Sequence, residues 1–567
     1  MDLLLISYLL YMLRAALIIM GNLLKKGLRP PDYVVFTLHG TYPDLRQPPE
    51  GFLQKMVKAR VKSLQELENE FRIVGKSPRV KGVILKLSNL ALSLSQVQSL
   101  TEMIKELKAR GKEVITWSAF YDTHTYILAT AGDRILLQRG GIIHTLGFAE
   151  RQLYMKKALD WCGIELDVVR ISPYKSALDR FSRTDMSEEV KNMTGWLMDS
   201  YYEQLVRAIA RGRNLEEEEV HDLIKNTPFF GEKAIDAGVV DHIVNAEDLP
   251  KFLGSKDKPA LLSSWAECSR RFPRPLPPLP GKYIAVLRVQ GNIVDGKSQR
   301  PPARPPLPIP FLFNEQTGDL SFVQQARQAI RDKRIRAVLL YIDSGGGSAS
   351  ASEAITSILK QVAAQKPLVA MLGTMAGSGG YYVATPASFI VAQPGTITGS
   401  IGVISAKIVN SRFLERLLFN REIIGRGQKD PFRSSEERFT EEERKKVWQY
   451  ITHVYELFVR HVADSRNITS DAVDRVGGGK VWTGEQALEH GLVDKLGGLE
   501  TALSKLRKLA NLPPNTPLIE IPGPKWETAP LTTTTAWIDY ALSNMDQFKN
   551  SRILMAGPLY FHQPWDQ

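Results

Sequence analysis

The chain has 567 residues, 43% of them hydrophobic and 24% charged, which is a globular composition on a chain too long for one core. Its two cysteines, Cys162 and Cys268, rule out a disulfide framework or a thiolate zinc site; no His-Glu-x-x-His run is present, so a metalloprotease is disfavoured and no metal or cofactor is called for. The net charge of +12 comes from dispersed basic residues without a nucleic-acid motif, so no nucleic-acid partner is expected and lipid headgroups or plain solvation account for the surplus.

Residues 1–29 pose the membrane question. Leu3–Leu13 and Ala15–Gly21 are apolar runs separated by Arg14, and with Leu23 and Leu24 they reach the roughly 20 residues that a spanning helix needs. One central arginine costs about 2.5–3.5 kcal/mol on insertion scales, which the leucines and isoleucines offset. No small-residue cleavage site is apparent, so the segment reads as a retained membrane attachment. It is either a single anchor or an interfacial helix with Arg14, Lys25 and Lys26 among headgroups. Lys25, Lys26 and Arg29 direct the following domain to the cytoplasmic side by the positive-inside rule.

Two opening strands follow, Asp32–Gly40 and Lys282–Gly291, and between them the chain repeats itself. Gly231-Glu-Lys-Ala-Ile-Asp-Ala-Gly-Val-Val-Asp241 returns 253 residues later as Gly484-Glu-Gln-Ala-Leu-Glu-His-Gly-Leu-Val-Asp494. Arg213-Asn214 returns as Arg466-Asn467 at the same offset, and Gly82–Leu87 matches Ala337–Ile342 at 255. So constant an offset predicts a tandem duplication of a whole α/β domain, with the first domain at 30–250 and the second at 281–510. Residues 251–280 are a linker ending in the proline-rich run Arg271–Pro280. Pro301–Pro310 cannot be a helix or sheet interior and reads as a surface excursion. Glu441–Ala463 has helical spacing, with Val447, Ile451, Val454, Leu457 and Phe458 on one face. The tail, 511–567, includes Thr532–Thr535 and reads as weakly structured, with no function assigned.

Comparing the copies locates the chemistry. Copy two has Asp343-Ser-Gly-Gly-Gly-Ser348 after its buried strand, where copy one has Ser88-Asn-Leu-Ala-Leu-Ser93. It also has Ala376-Gly-Ser-Gly-Gly-Tyr-Tyr382 where copy one has Tyr121-Asp-Thr-His-Thr-Tyr-Ile127. Glycines let backbone N–H groups approach a ligand, and a serine at a tight helix entry sits where an anion is favoured. Together these can supply a nucleophile and an oxyanion hole, and copy one lacks both. Copy one does keep a lysine, Lys175, at the position of Lys429 in copy two, which suggests that it serves the other copy's serine. Lysine acts as a general base only if desolvation or dipoles lower its pKa. The nine histidines are scattered and offer no competing base.

The runs Met375–Tyr382, Thr398-Gly-Ser-Ile-Gly-Val403, Tyr174-Lys-Ser-Ala177 and Val481-Trp-Thr-Gly484 resemble peptidase family S49, the signal peptide peptidase A (protease IV) family, in its long two-domain form. The resemblance covers roughly residues 30–510. It implies tandem crotonase/Clp-protease-like domains, a homo-oligomer (a tetramer in the family), and a membrane serine endopeptidase that degrades cleaved signal peptides with a Ser/Lys dyad. Its bacterial members are exported, in tension with the charge rule above. Carried over, Ser378 is the nucleophile, Lys175 the base, Ser400 the hydroxyl that orients the lysine, and the amides of Gly346 and Gly379 the oxyanion hole. Two departures stand out. Gly345 replaces the family's usual proline in the glycine loop, and Lys429 sits where single-domain members carry their lysine, as a second-choice base. Two readings from other classes stay open: a crotonase-like acyl-CoA enzyme using the same pair of amides, and an inactive membrane scaffold.

Overall fold

The computed structural model describes residues 2–25, 27–47, 61–277, 281–299, 315–420, 422, 424, 426, 435–521 and 554–556. The proline run 301–310 and Lys429 lie outside the described residues. The chain divides into two compact units, Met1–Ala149 with Asp199–Gly281, and Glu150–Met198 with Lys282–Phe561. Residues 150–198, which the sequence repeat places in the first copy, belong to the second unit.

In the first unit six strands run in the order Phe229–Phe230, Arg134–Ile143, Glu113–Tyr121, Gly82–Leu90, Tyr33–Gly40 and Leu262–Ser264. The central pairs are parallel, so the strands are buried on both faces and read as unbroken apolar runs. Val83, Ile84 and Leu85 are fully buried. Helices Leu64–Gly75 and Leu94–Ala109 each start at a serine, Ser63 and Ser93, with a reciprocal capping box.

The second unit repeats this plan around Tyr283–Val294, Ile335–Ser348 and Leu368–Gly377, joined in parallel, with helix Ala349–Ala363 capped by Ser348. The duplication extends to single bonds. Arg213 forks onto the Asp241 carboxylate and reaches the Gly238 carbonyl; Arg466 does the same with Asp494 and Gly491. The hydroxyls of Tyr126 and Tyr381 donate to the carbonyls of Val239 and Leu492 at 2.9 and 2.7 Å. Helix Glu441–Arg466 buries Val447, Ile451 and Phe458 as its spacing predicts.

Three features go beyond the sequence reading. Strand Glu165–Arg170 joins the second unit by pairing antiparallel with Ile404–Val409, and Asp167 accepts from the Phe439 amide at 2.7 Å and the Arg444 guanidinium at 2.5 Å. The tail, expected to be weakly structured, supplies Leu518–Glu520, which lies parallel to Tyr283–Val294, and Leu554–Ala556, which enters the sheet beside Gly346–Ser348. Both segments bring apolar side chains, Leu518 and Ile519 in one and Leu554 and Met555 in the other, and meet strand edges that would otherwise leave backbone groups unpaired. At the other end, Asp2–Lys25 forms one helix of 24 residues. Its Asn22 exchanges two hydrogen bonds with the backbone of Arg274, and the Lys25 ammonium donates to the Phe272 carbonyl, while Leu9, Met12 and Leu24 are exposed.

Candidate active site

Ser378 occupies the joint between strand Leu368–Gly377 and the short helix Gly379–Tyr382. Its φ of 53° and ψ of −115° are unusual for a residue with a side chain and cost on the order of 1–3 kcal/mol, and the surroundings enforce them. The Ser378 amide donates to the Gly399 carbonyl at 2.8 Å. A Cβ on Gly379 would fall 2.7 Å from Ser352 Oγ, and one on Gly380 would fall 2.4 Å from the Ser344 carbonyl. Only glycine therefore lets the turn pack this tightly against the neighbouring strand and helix.

Lys175 is in the same compact unit as Ser378 and has no solvent exposure. Its Nζ lies 2.7 Å from Ser378 Oγ, 2.8 Å from the Ser400 carbonyl oxygen and 2.9 Å from Ser400 Oγ. Three oxygens thus surround the nitrogen at hydrogen-bond distance. Nζ donates to Ser378 Oγ and to both Ser400 oxygens, and the Ser378 hydroxyl donates to the Gly402 carbonyl at 3.4 Å. Burial holds the lysine well below its ordinary pKa of 10.5, and no opposing charge offsets it. Ser400 has φ +52°, a second strained serine facing the same nitrogen.

The lysine is held by parts to which the sequence reading assigned no role. A Cβ on Gly479 would fall 2.7 Å from the backbone N and Cα of Lys175, and one on Gly402 would fall 3.3 Å from its Cδ. Trp196 stacks on Trp482 with ring centroids 5.0 Å apart, donates to the Val481 carbonyl at 2.8 Å, and lies 5.9 Å from Tyr174. The run Gly477-Gly-Gly-Lys480 just before Val481 was the available signal for this wall. Gly477 and Gly479 permit close approaches that a Cβ would block, and Gly478 between them has φ +64°.

Gly346 and Gly379 are brought together, since a Cβ on Gly346 would fall 2.8 Å from the Gly379 nitrogen. The Gly346 amide donates to Ser344 Oγ at 3.1 Å. Gly345 departs from the resemblance at no steric cost, because its missing Cβ would meet only Met375 Sδ, at 3.3 Å. In the first unit Thr123 takes the place of Ser378. Its hydroxyl donates to the Gly147 carbonyl at 2.9 Å, much as Ser378 Oγ reaches the matching Gly402 carbonyl at 3.4 Å. The backbone frame is kept there without the nucleophile. Among the described residues no cluster of His, Cys, Asp or Glu could hold a metal ion.

The profile of peptidase family S49 matches this chain twice, over residues 106–257 and 360–513. The chain belongs to peptidase family S49. It is 30% identical to the chloroplastic serine protease SPPA of Arabidopsis thaliana over 488 residues, 84% of this chain and 70% of that one. It is 29% identical to Protease 4 of Haemophilus influenzae, over 76% of this chain and 71% of that one. Protease 4 of Salmonella typhi is also 29% identical, over 79% and 72%. Family membership makes this protein a serine protease of tandem-repeat α/β fold, and the acyl-CoA and scaffold readings are not favoured.

Proposed function

We propose that the protein is a membrane-attached serine endopeptidase in which Ser378 and Lys175 form the catalytic dyad. The observation that carries this reading is the 2.7 Å contact between the Ser378 hydroxyl and a lysine nitrogen that is buried without a counter-charge. The neutral amine takes the serine proton as Oγ adds to the peptide carbonyl, then returns it to the leaving amine; water attacks the acyl-enzyme by the same route. Ser400 fixes the orientation of the amine. Gly379 and Gly346 would hold the developing oxyanion, with the Gly346 amide turning from Ser344 Oγ to the substrate oxygen.

Substrates are extended apolar peptides, remnant signal peptides among them. The helix Asp2–Lys25 supports membrane attachment, since its Tyr8–Lys25 stretch has mean hydropathy 1.3 and is almost entirely unburied. The homo-oligomeric, tetrameric state remains a proposal drawn from the resemblance.

A serine-directed peptidyl phosphonate tests the dyad. It should modify full-length protein stoichiometrically at Ser378 and leave Ser378→Ala unlabelled. Labelling at any other residue, or none on folded protein, overturns the reading.

A further inference from the structure

The end of the N-terminal helix is fastened to the linker that leads into the second copy. Asn22 Nδ2 donates to the Arg274 carbonyl at 2.9 Å, and the Arg274 amide donates to Asn22 Oδ1 at 2.8 Å. Lys25 Nζ donates to the Phe272 carbonyl at 2.9 Å, and the Arg271 guanidinium reaches the Arg29 carbonyl at 3.5 Å. Phe272 is buried against Trp265, ring centroids 5.5 Å apart, and Trp265 stacks on Phe36 of the opening strand. All of these residues belong to the first unit. The packing brings cations together. Lys25, Arg29, Arg271 and Arg274 meet at the last turn of the helix, and Arg270 adjoins Arg271 in the 3₁₀ turn Ser269–Arg271. The four arginines are exposed, and among the described residues none of them forms an ion pair with a carboxylate. The acids on the adjoining segments are engaged elsewhere, Asp32 by Lys81 at 3.6 Å and Glu267 by the Ser264 cap. Exposed leucines stand among the cations along the chain: Leu24, Leu28 and Leu276. A soluble polyanion would leave those leucines in water, whereas a bilayer surface takes cations and apolar side chains together. The helix sets the level. Tyr8–Lys25 is 18 residues, about 27 Å at 1.5 Å per residue, close to a hydrocarbon thickness of about 30 Å, so Lys25 and the linker stand at the headgroups.

We infer that the linker residues Arg270, Arg271 and Arg274 join Lys25 and Arg29 in a binding surface for anionic phospholipid headgroups, at the point where the helix leaves the bilayer. The inference rests on the membrane-attachment reading and adds two things to it. It gives the lipid class, a phosphate headgroup of net negative charge, to which a guanidinium offers paired N–H donors. It also gives the place, because most of the charge comes from the linker and not from the helix. The segment leading into the second copy is thereby held at the bilayer surface.

The test reconstitutes the full chain in phosphatidylcholine vesicles that carry a trace of spin-labelled phosphatidylglycerol or spin-labelled phosphatidylcholine, and compares how much of each label the protein immobilises. Wild type should favour phosphatidylglycerol about five-fold, the factor that one basic residue contributes at an anionic surface. Arg270→Gln, Arg271→Gln and Arg274→Gln together should bring the preference below about two-fold, and high salt should do the same to wild type. Lysine at the same three positions should keep most of it, since the charge is retained. An unchanged preference in the glutamine variant overturns the inference. A loss with lysine as complete as with glutamine also overturns it, in favour of a discrete anion pocket. Turnover of a soluble reporter peptide checks that the glutamine variant is folded. Should it fold poorly, the salt series on wild type decides, and a preference that survives high salt overturns the surface. Equal immobilisation of both lipids by wild type counts against this inference alone, whereas failure of wild type to enter vesicles counts against membrane attachment itself.

Discussion

Ser378 sits at positive φ and touches the nitrogen of a buried lysine, and each of these facts has a measurable consequence. Replacing it with alanine should lower peptide turnover by roughly 10⁴–10⁶-fold, as for other members of a catalytic unit, while leaving the fold intact. Lys175→Ala should fall to the same level and Lys429→Ala should keep most activity; the reverse pattern, on one peptide substrate, would move the base to residue 429. The depressed pKa of Lys175 also makes it a stability liability. Between that lowered pKa and 10.5 the unfolded chain binds more protons than the folded one, so stability rises with pH across this window. Lys175→Met, of similar length and uncharged, should therefore be inactive but melt higher than wild type at pH 7, by about 2–4 °C for each kcal/mol recovered. The gain should shrink as pH rises and vanish above 10.5. For the wild type, kcat/KM should rise with pH through a limb below the ordinary lysine value, as the amine loses its proton.

At the scale of elements, the base is positioned by loops that carry no chemistry. Gly479 has φ +92° and abuts the Lys175 backbone, so Gly479→Ala must push the lysine-bearing segment away from Ser378. A displacement of about 1 Å can cost on the order of 100-fold in rate. We expect that loss in kcat with phosphonate labelling slowed in proportion; an unaffected kcat would show that the wall yields. The Arg466–Asp494 fork pins the Gly491–Asp494 turn to the helix Glu441–Arg466, and Arg466 is 8% exposed. Arg466→Ala removes the ionic partner of that carboxylate, leaving it the Ile390 amide at 2.7 Å, and should cost roughly 3 kcal/mol, read as a lower urea midpoint. The N-terminal helix is a separate case. Deleting residues 1–29 should release the protein from membranes that high salt does not strip, and release by salt alone would indicate electrostatic adsorption.

Over the whole molecule, the chain records one fold used twice and one site used once. Repeat offsets, opening strands, the long helix and the serine were legible in sequence because each is a local pattern: an apolar run, a helical period, or a glycine-serine turn. Lys175 was legible only by comparison, as a lysine kept in a copy that had lost its serine. What no local pattern could supply was where residues 150–198 pack. That was decided by strand Glu165–Arg170 pairing with Ile404–Val409 and by Asp167 bonding Phe439 and Arg444. Nor could composition assign the tail, since Leu554 and Met555 form a three-residue strand too short to register as a period. The sequence by itself determined the duplicated α/β plan and the chemistry of its side chains. Tertiary structure alone decided which lysine meets the serine, how deeply it is buried, and which strands the tail pairs with. Those outcomes depend on contacts between residues some 200 apart, whose energies come from burial and backbone pairing rather than from any neighbour in the chain.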